Sequence, residues 1–183
     1  MPHAAHMPLP PPRDPAGPYR ICCVCLGNIC RSPMAEVVLR AQVAKAGLSD
    51  RVTVDSAGTG NWHVGDRMNA RAHAQLRRGG YDGEAHRARQ FDGSWLADRD
   101  LILAMDDSNL DDLRALARRG DGGDGGDLDQ RIRLFGEIGD LDGAAVPDPY
   151  YGTDEDFAQV LAMLESGMAT IVEQLRAAYF ADR

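Results

Sequence analysis

From Tyr19 onward the chain alternates short apolar runs with longer stretches whose apolar residues recur every three or four positions. YRICCVCL, Tyr19 to Leu26, stays apolar after Arg20 and stops at Gly27, which predicts a strand buried on both faces. Met34, Val37, Val38 and Ala41 then return at helical spacing, with Gly47 as the stop. RVTVDSAG, Arg51 to Gly58, reads as a second strand entering a loop, and MNARAHAQLRRGG as a second helix closed by Gly79 and Gly80. LILAMD, Leu101 to Asp106, is a third buried strand that SNLDDLRALARR continues as a helix. IRLF is a fourth, fainter strand. Phe157, Val160, Leu161, Leu164, Met168, Ile171 and Leu175 line one face of a long closing helix. Strand and helix taken in turn predict an α/β domain, a parallel sheet with helices on both faces.

Two stretches fall outside this rhythm. Residues 1–18 hold seven prolines and almost no large apolar side chains, and are expected to form a disordered or polyproline-like arm ahead of one domain over 19–183. GDGGDGGD, Gly120 to Asp127, is expected to be a flexible loop. A length of 183 residues suits a single domain with a full core. The net charge of −8 sets up no basic field for nucleic acid or an anionic membrane, so an anionic substrate needs a local cationic pocket. No apolar stretch approaches the ~20 residues of a membrane span, and the amino terminus lacks the apolar core of a signal peptide. The four cysteines, Cys22, Cys23, Cys25 and Cys30, crowd together without histidine neighbours. That is neither a disulfide framework nor zinc spacing, and it leads us to expect a reducing, cytoplasmic setting and no metal.

The cysteine cluster lies where such a sheet binds ligands, at the carboxyl end of a strand as the next helix begins. In CLGNICRS the backbone amides of Leu26, Gly27, Asn28, Ile29 and Cys30, with the helix start, can converge on one anion. Gly27 and Asn28 tolerate the left-handed backbone such a nest requires. Arg31 adds a planar fork that fits two phosphate oxygens. Cys25 lies beneath that anion, where the helix start and Arg31 favour the thiolate, the attacking form. The loop lacks the lysine and spacing of a nucleoside triphosphate loop. The bare Cys-x5-Arg pattern is weak evidence in so arginine-rich a chain, and a buried cysteine beside a capping arginine would satisfy it too. A thiol attack on phosphorus also needs an acid for the leaving oxygen. Asp148 in VPDPYYG, stiffened between two prolines, is a candidate, with an ordinary turn residue as the equal reading.

CLGNICRSP together with DPYYG resembles the low-molecular-weight protein tyrosine phosphatase family. DSAG, NWHVG, HRARQ, MDDSNL and the DFAQV helix extend the likeness, in chain order, from Ile21 to about Arg176. The resemblance implies a three-layer sandwich around a four-stranded parallel sheet and a two-step reaction without a cofactor. It gives Cys25 the role of nucleophile, Arg31 that of phosphate clamp and Asp148 that of general acid and then base. Ser32 would hydrogen-bond the Cys25 thiolate. Asn28 would be held in its strained backbone by Ser32, Ser56 and His86. Asp106 would orient Arg31 as well as cap the helix after it. Trp62 and Tyr150, with Tyr151 beside it, would wall a slot for a phenyl ring, and His63 would flank the mouth.

Within the same fold, protein-arginine phosphatases carry a threonine where this chain has Ile29, and thioredoxin-linked arsenate reductases need cysteines downstream of Cys30, where this chain has none. A non-catalytic phosphate-binding redox sensor is the alternative from another class. In the family, a cysteine at position 30 can bond Cys25 under peroxide. Cys22 and Cys23 are expected to be small buried side chains. A phosphotyrosine protein is the expected partner, with Tyr150 or Tyr151 open to a tyrosine kinase, and a monomer is the expected state. The chain departs from the family in its Gly/Asp stretch and in GEIGDLDGAA, where the family has a Ser-Phe-Asp-Pro-like turn. The second departure bears on where the Asp148 loop rests.

Overall fold

The computed structural model describes residues 8–120 and 125–181. Four parallel strands form one sheet in the order β2-β1-β3-β4: β1 (Tyr19–Cys25), β2 (Val52–Gly58), β3 (Leu101–Ala104) and β4 (Ile132–Leu134). The alternation of side chains along a strand divides β1 between two cores. Ile21, Cys23 and Cys25 point into one, Cys22 and Val24 into the other. The first core is closed by α1 (Arg31–Lys45), α2 (Ala70–Arg78) and α6 (Asp154–Tyr179), the second by α3 (Asp107–Arg119) and a 3-10 turn over Gly93–Ala97. This is the three-layer parallel α/β sandwich that the pattern predicts. Cys22 and Cys23 are wholly buried, and burial pushes both thiols well above the ordinary range.

Helix starts follow the local chemistry. Asn69 accepts from Arg71 N and Ala72 N ahead of α2, Asp106 from Asn109 N ahead of α3, and Thr153 with Asp156 forms a capping box ahead of α6. All seven apolar positions predicted for the closing helix are buried on α6. The inward face of α1 differs from expectation. It carries Met34, Ala35, Val38, Leu39 and Val43, while Ala41 is exposed, because packing between the sheet and α6 selects the bulkier stripe.

Three segments outside the main strands and helices bear on the expectations above. Residues 1–7 of the proline-rich segment lie outside the described residues, but the part after them is docked rather than disordered. Leu9 is buried, the hydroxyls of Tyr19 and Tyr179 donate to Pro10 O and Leu9 O at 2.8 and 2.9 Å, and Arg131 Nη1 donates to Pro11 O at 3.1 Å. A polyproline segment has free carbonyls and little entropy to lose, so a few donors from the folded body suffice to hold it. In the Gly/Asp stretch residues 121–124 lie outside the described residues, and Gly125 to Asp127 open a short helix, α4 (Gly125–Arg131). GEIGDLDGAA becomes most of α5 (Phe135–Ile138) and a turn in which Asp140 and Asp142 take φ of 58° and 53°. It leads to Val146, which is buried and pinned by its N–H to Met105 O at 2.8 Å, and so sets where the next residues rest.

Candidate active site

The loop after β1 turns on Asn28, whose φ of 57° lies in the left-handed region. Its side chain is fully engaged: Nδ2 donates to Ser32 Oγ at 2.8 Å and Ser56 Oγ at 3.0 Å, and Oδ1 accepts from Arg89 N at 3.0 Å. His86 Nε2 meets the Asn28 carbonyl at 2.7 Å, so that nitrogen carries the hydrogen. Ser32, Ser56 and His86 therefore gather on Asn28, and His86 is no surface residue. Ser56 passes its own hydroxyl proton to Glu36 Oε2 at 2.9 Å. Burial acts to raise the Glu36 pKa, yet His86, Arg40 and Ser56 outweigh it and hold the carboxyl below its ordinary range. With the carboxylate accepting at one end, both Asn28 N–H groups are committed to the serines, and the Ser32 hydroxyl has two acceptors in reach, Ala57 O at 3.3 Å and the Cys25 sulfur. Cys25 Sγ lies 3.0 Å from Ser32 Oγ.

Helix α1 begins at Arg31 without a side-chain cap, unlike α2, α3 and α6, which leaves its first amides turned toward the loop. The Arg31 side chain is buried. Its Nη1 donates to Asp106 Oδ2 at 2.5 Å and Val146 O at 3.1 Å, while Nη2 stands 3.7 Å from Asp148 Oδ2. Burial pulls the guanidinium pKa down, but the Asp106 hydrogen bond and the electrostatic influence of Cys25, Asp106 and Asp148 raise it on balance. Asp106 makes contacts with both groups: Oδ2 accepts from Arg31 Nη1 at 2.5 Å and Oδ1 from Asn109 N at 2.8 Å. Asp148 is about half exposed, and its Oδ1 accepts from Tyr150 N at 3.2 Å.

These residues meet in one pocket of ≈ 200 Å³. Cys25, Leu26, Gly27, Ile29, Cys30 and Arg31 form its floor, and Trp62, His63, Asp148, Tyr150 and Tyr151 its walls. Trp62 is 72% exposed and the two tyrosines pack edge to face at 4.8 Å, so the walls are aromatic and open to solvent. Cys30 lines the same floor, and its thiol is pushed up to about 12, first by burial and then by its electrostatic neighbours Cys25 and Asp148. A larger surface groove of ≈ 710 Å³ between α1 and α6 contains no nucleophile and lies toward the far end of α1.

Sequence reasoning missed Glu36 and Gly58. Glu36 sits one helical turn after Ser32, and that i, i+4 spacing beside a loop serine was its available signal. Gly58 backs the loop so closely that a Cβ there would lie 2.6 Å from Leu26 O, which explains the glycine at the end of DSAG.

A sequence profile of the family "Low molecular weight phosphotyrosine protein phosphatase" matches residues 20–179. The low molecular weight protein-tyrosine-phosphatase of Streptomyces coelicolor is 44% identical over 86% of this chain and 94% of its own length. Low molecular weight protein-tyrosine phosphatase A of Mycobacterium tuberculosis is 42% identical over 82% of this chain and 88% of its own. Among solved structures, a protein tyrosine phosphatase from Entamoeba histolytica superposes with a TM-score of 0.77 at 28% identity, covering 87% of this chain and 97% of that one. On the profile match and these likenesses, the chain belongs to the low molecular weight phosphotyrosine protein phosphatase family.

Proposed function

We propose that the chain hydrolyses phosphotyrosine in proteins, and small aryl phosphates, through a cysteinyl-phosphate. The observation that carries the reading is Cys25 Sγ, 3.0 Å from Ser32 Oγ, in a pocket shared with Arg31 and Asp148. In the first step the Cys25 sulfur forms a bond to phosphorus as the bond to the phenolic oxygen breaks, and Asp148 gives that oxygen its proton. In the second, water attacks phosphorus, Asp148 takes a proton from it, and the sulfur leaves as a thiolate stabilised by the Ser32 hydroxyl. Arg31 and the loop amides hold the equatorial oxygens, where transition-state charge gathers. The aromatic walls favour a flat phenyl ester, and apolar Ile29 in the floor supports that over a phosphoguanidinium.

The phosphatase domain is residues 19–183, with residues 8–18 laid against it, and it acts as a monomer in the cytoplasm. Tyr150 and Tyr151 stand exposed enough for a tyrosine kinase to reach. Cys30 traps an oxidised Cys25 as a disulfide, a reading supported by the two cysteines lining one pocket. The test is hydrolysis of para-nitrophenyl phosphate in EDTA and fresh reductant. Wild type turns over, Cys25→Ser is inactive, and Asp148→Ala loses roughly 10²–10⁴-fold in rate. Reduced wild type that binds vanadate without turnover would make the pocket a sensor instead.

A further inference from the structure

The Trp62 indole is a wall between two cavities. On one side is the Cys25 pocket, and on the other a groove of ≈ 310 Å³ that reaches Phe91 and the α3 face bearing Asp112, Leu116 and Arg119. Leu26, 43% exposed, also borders both. Beyond these two shared residues the groove draws on elements that give nothing to the Cys25 pocket, so phosphoryl transfer does not account for it. Gly60 leaves room for the indole in the dividing position, since a Cβ at that residue would lie 1.9 Å from the Trp62 ring. Leu26, Trp62, Tyr150 and Tyr151 are among the few large apolar side chains the described surface exposes; all four line the pocket, and Leu26 and Trp62 continue into the groove. Asp112 and Arg119 bring opposite charges to one face of α3, so the groove offers no net attraction to an acidic or a basic side chain.

We propose that this groove receives a large apolar side chain, such as Leu, Met or Phe, from the polypeptide that carries the phosphotyrosine. The inference rests on the phosphatase reading above and names the class of substrate that reading leaves open. The ridge between the cavities is one side chain wide, and an extended chain advances roughly 3.3–3.6 Å per residue. The apolar residue therefore lies one or two positions from the phosphotyrosine, its chain crossing the ridge of Leu26 and Trp62.

The test scans phosphotyrosine peptides with Leu, Gly, Asp or Lys at each position within two residues of the phosphotyrosine. Each kcat/KM is divided by that for para-nitrophenyl phosphate, which is too small to reach the groove. Leu at one position exceeds Gly by about tenfold, while Asp and Lys give no gain. Leu116→Asp removes the preference. Because Leu116 also packs on the core, Ala115→Trp, which fills the groove from the helix surface, serves as the second variant and gives the same loss. Equal rates for Leu and Gly at every position, a preference for Asp, or a Leu preference that survives Ala115→Trp would each overturn the proposal. Wild type inactive on para-nitrophenyl phosphate itself would bring down the phosphatase reading and the groove's role together, an outcome distinct from failure of the groove alone.

Discussion

The two ends of β1 each have a buried arginine close by, and they treat its charge differently. At the Tyr19 end, Arg131 spends Nε on Asp127 at 3.0 Å and Nη1 on Pro11 O and Asp100 O at 3.1 and 3.2 Å. Buried Asp100 there accepts from Arg13 N and Arg20 N at 2.6 and 2.7 Å. At the Cys25 end, Arg31 is anchored through Nη1 among the described residues, and its Nη2 stands 3.7 Å from Asp148, beyond hydrogen-bond reach. A buried cation costs stability unless its partners are supplied. The chain anchors two guanidinium nitrogens at the first end and one at the second, beside amides that α1 also leaves uncapped. The first arrangement is a fastener. The second is a site that a phosphoryl dianion completes.

The sharpest way to break this contrast is a matched pair of substitutions. Arg31→Lys loses the planar fork, and kcat/KM on para-nitrophenyl phosphate falls by about 10³ with little change in melting temperature. Arg131→Lys does the reverse, lowering the melting temperature while leaving turnover within twofold. Equal effects of the two on activity would erase the distinction. Gly58→Ala comes next. Its Cβ must displace the Leu26 carbonyl, and a shift approaching an ångström in the loop costs about a hundredfold in kcat, with the fold preserved by circular dichroism.

Deleting residues 1–13 probes the fastened end. It exposes the Tyr19 and Tyr179 hydroxyls and removes buried Leu9, so the melting temperature drops by about 5–10 °C at unchanged kcat. An unchanged melting curve would mean that the docked segment contributes nothing. The smallest effect belongs to Glu36. Its folded pKa lies below the ordinary carboxylate value, so its charge adds stability above about pH 4 that is lost as pH falls through that range. Glu36→Gln melts a few degrees lower at pH 7, and the gap to wild type narrows below about pH 4. A gap that stays constant with pH would exclude the carboxylate charge as its source.

The legible parts of the site share one property: their role is written within a few consecutive residues. Gly27, Asn28 and Arg31 declare a loop built for an anion, because only certain residue types tolerate that backbone or fork around phosphate. The helix-and-strand rhythm was equally open, since burial on both faces leaves an apolar run and burial on one leaves a stripe. Glu36 was hidden because a charged residue on a helix reads as solvent-facing until Ser56 and His86 arrive from elsewhere in the chain. The docked segment was hidden for a like reason. Its composition argues against a core, and the donors that hold it come from as far away as Tyr179.

By itself, then, the sequence determined the alternation of strand and helix and a cysteine-to-arginine loop whose residue types suit an anion, because local conformation and side-chain chemistry act over a few residues. Only the tertiary structure decided which stripe of α1 faces inward, that Val146 brings Asp148 over Arg31, that Glu36 closes the chain of hydrogen bonds behind Asn28, and that Trp62 divides two cavities. Each of those depends on groups distant in sequence meeting at hydrogen-bond or van der Waals range. That meeting is settled by how the layers pack as a whole.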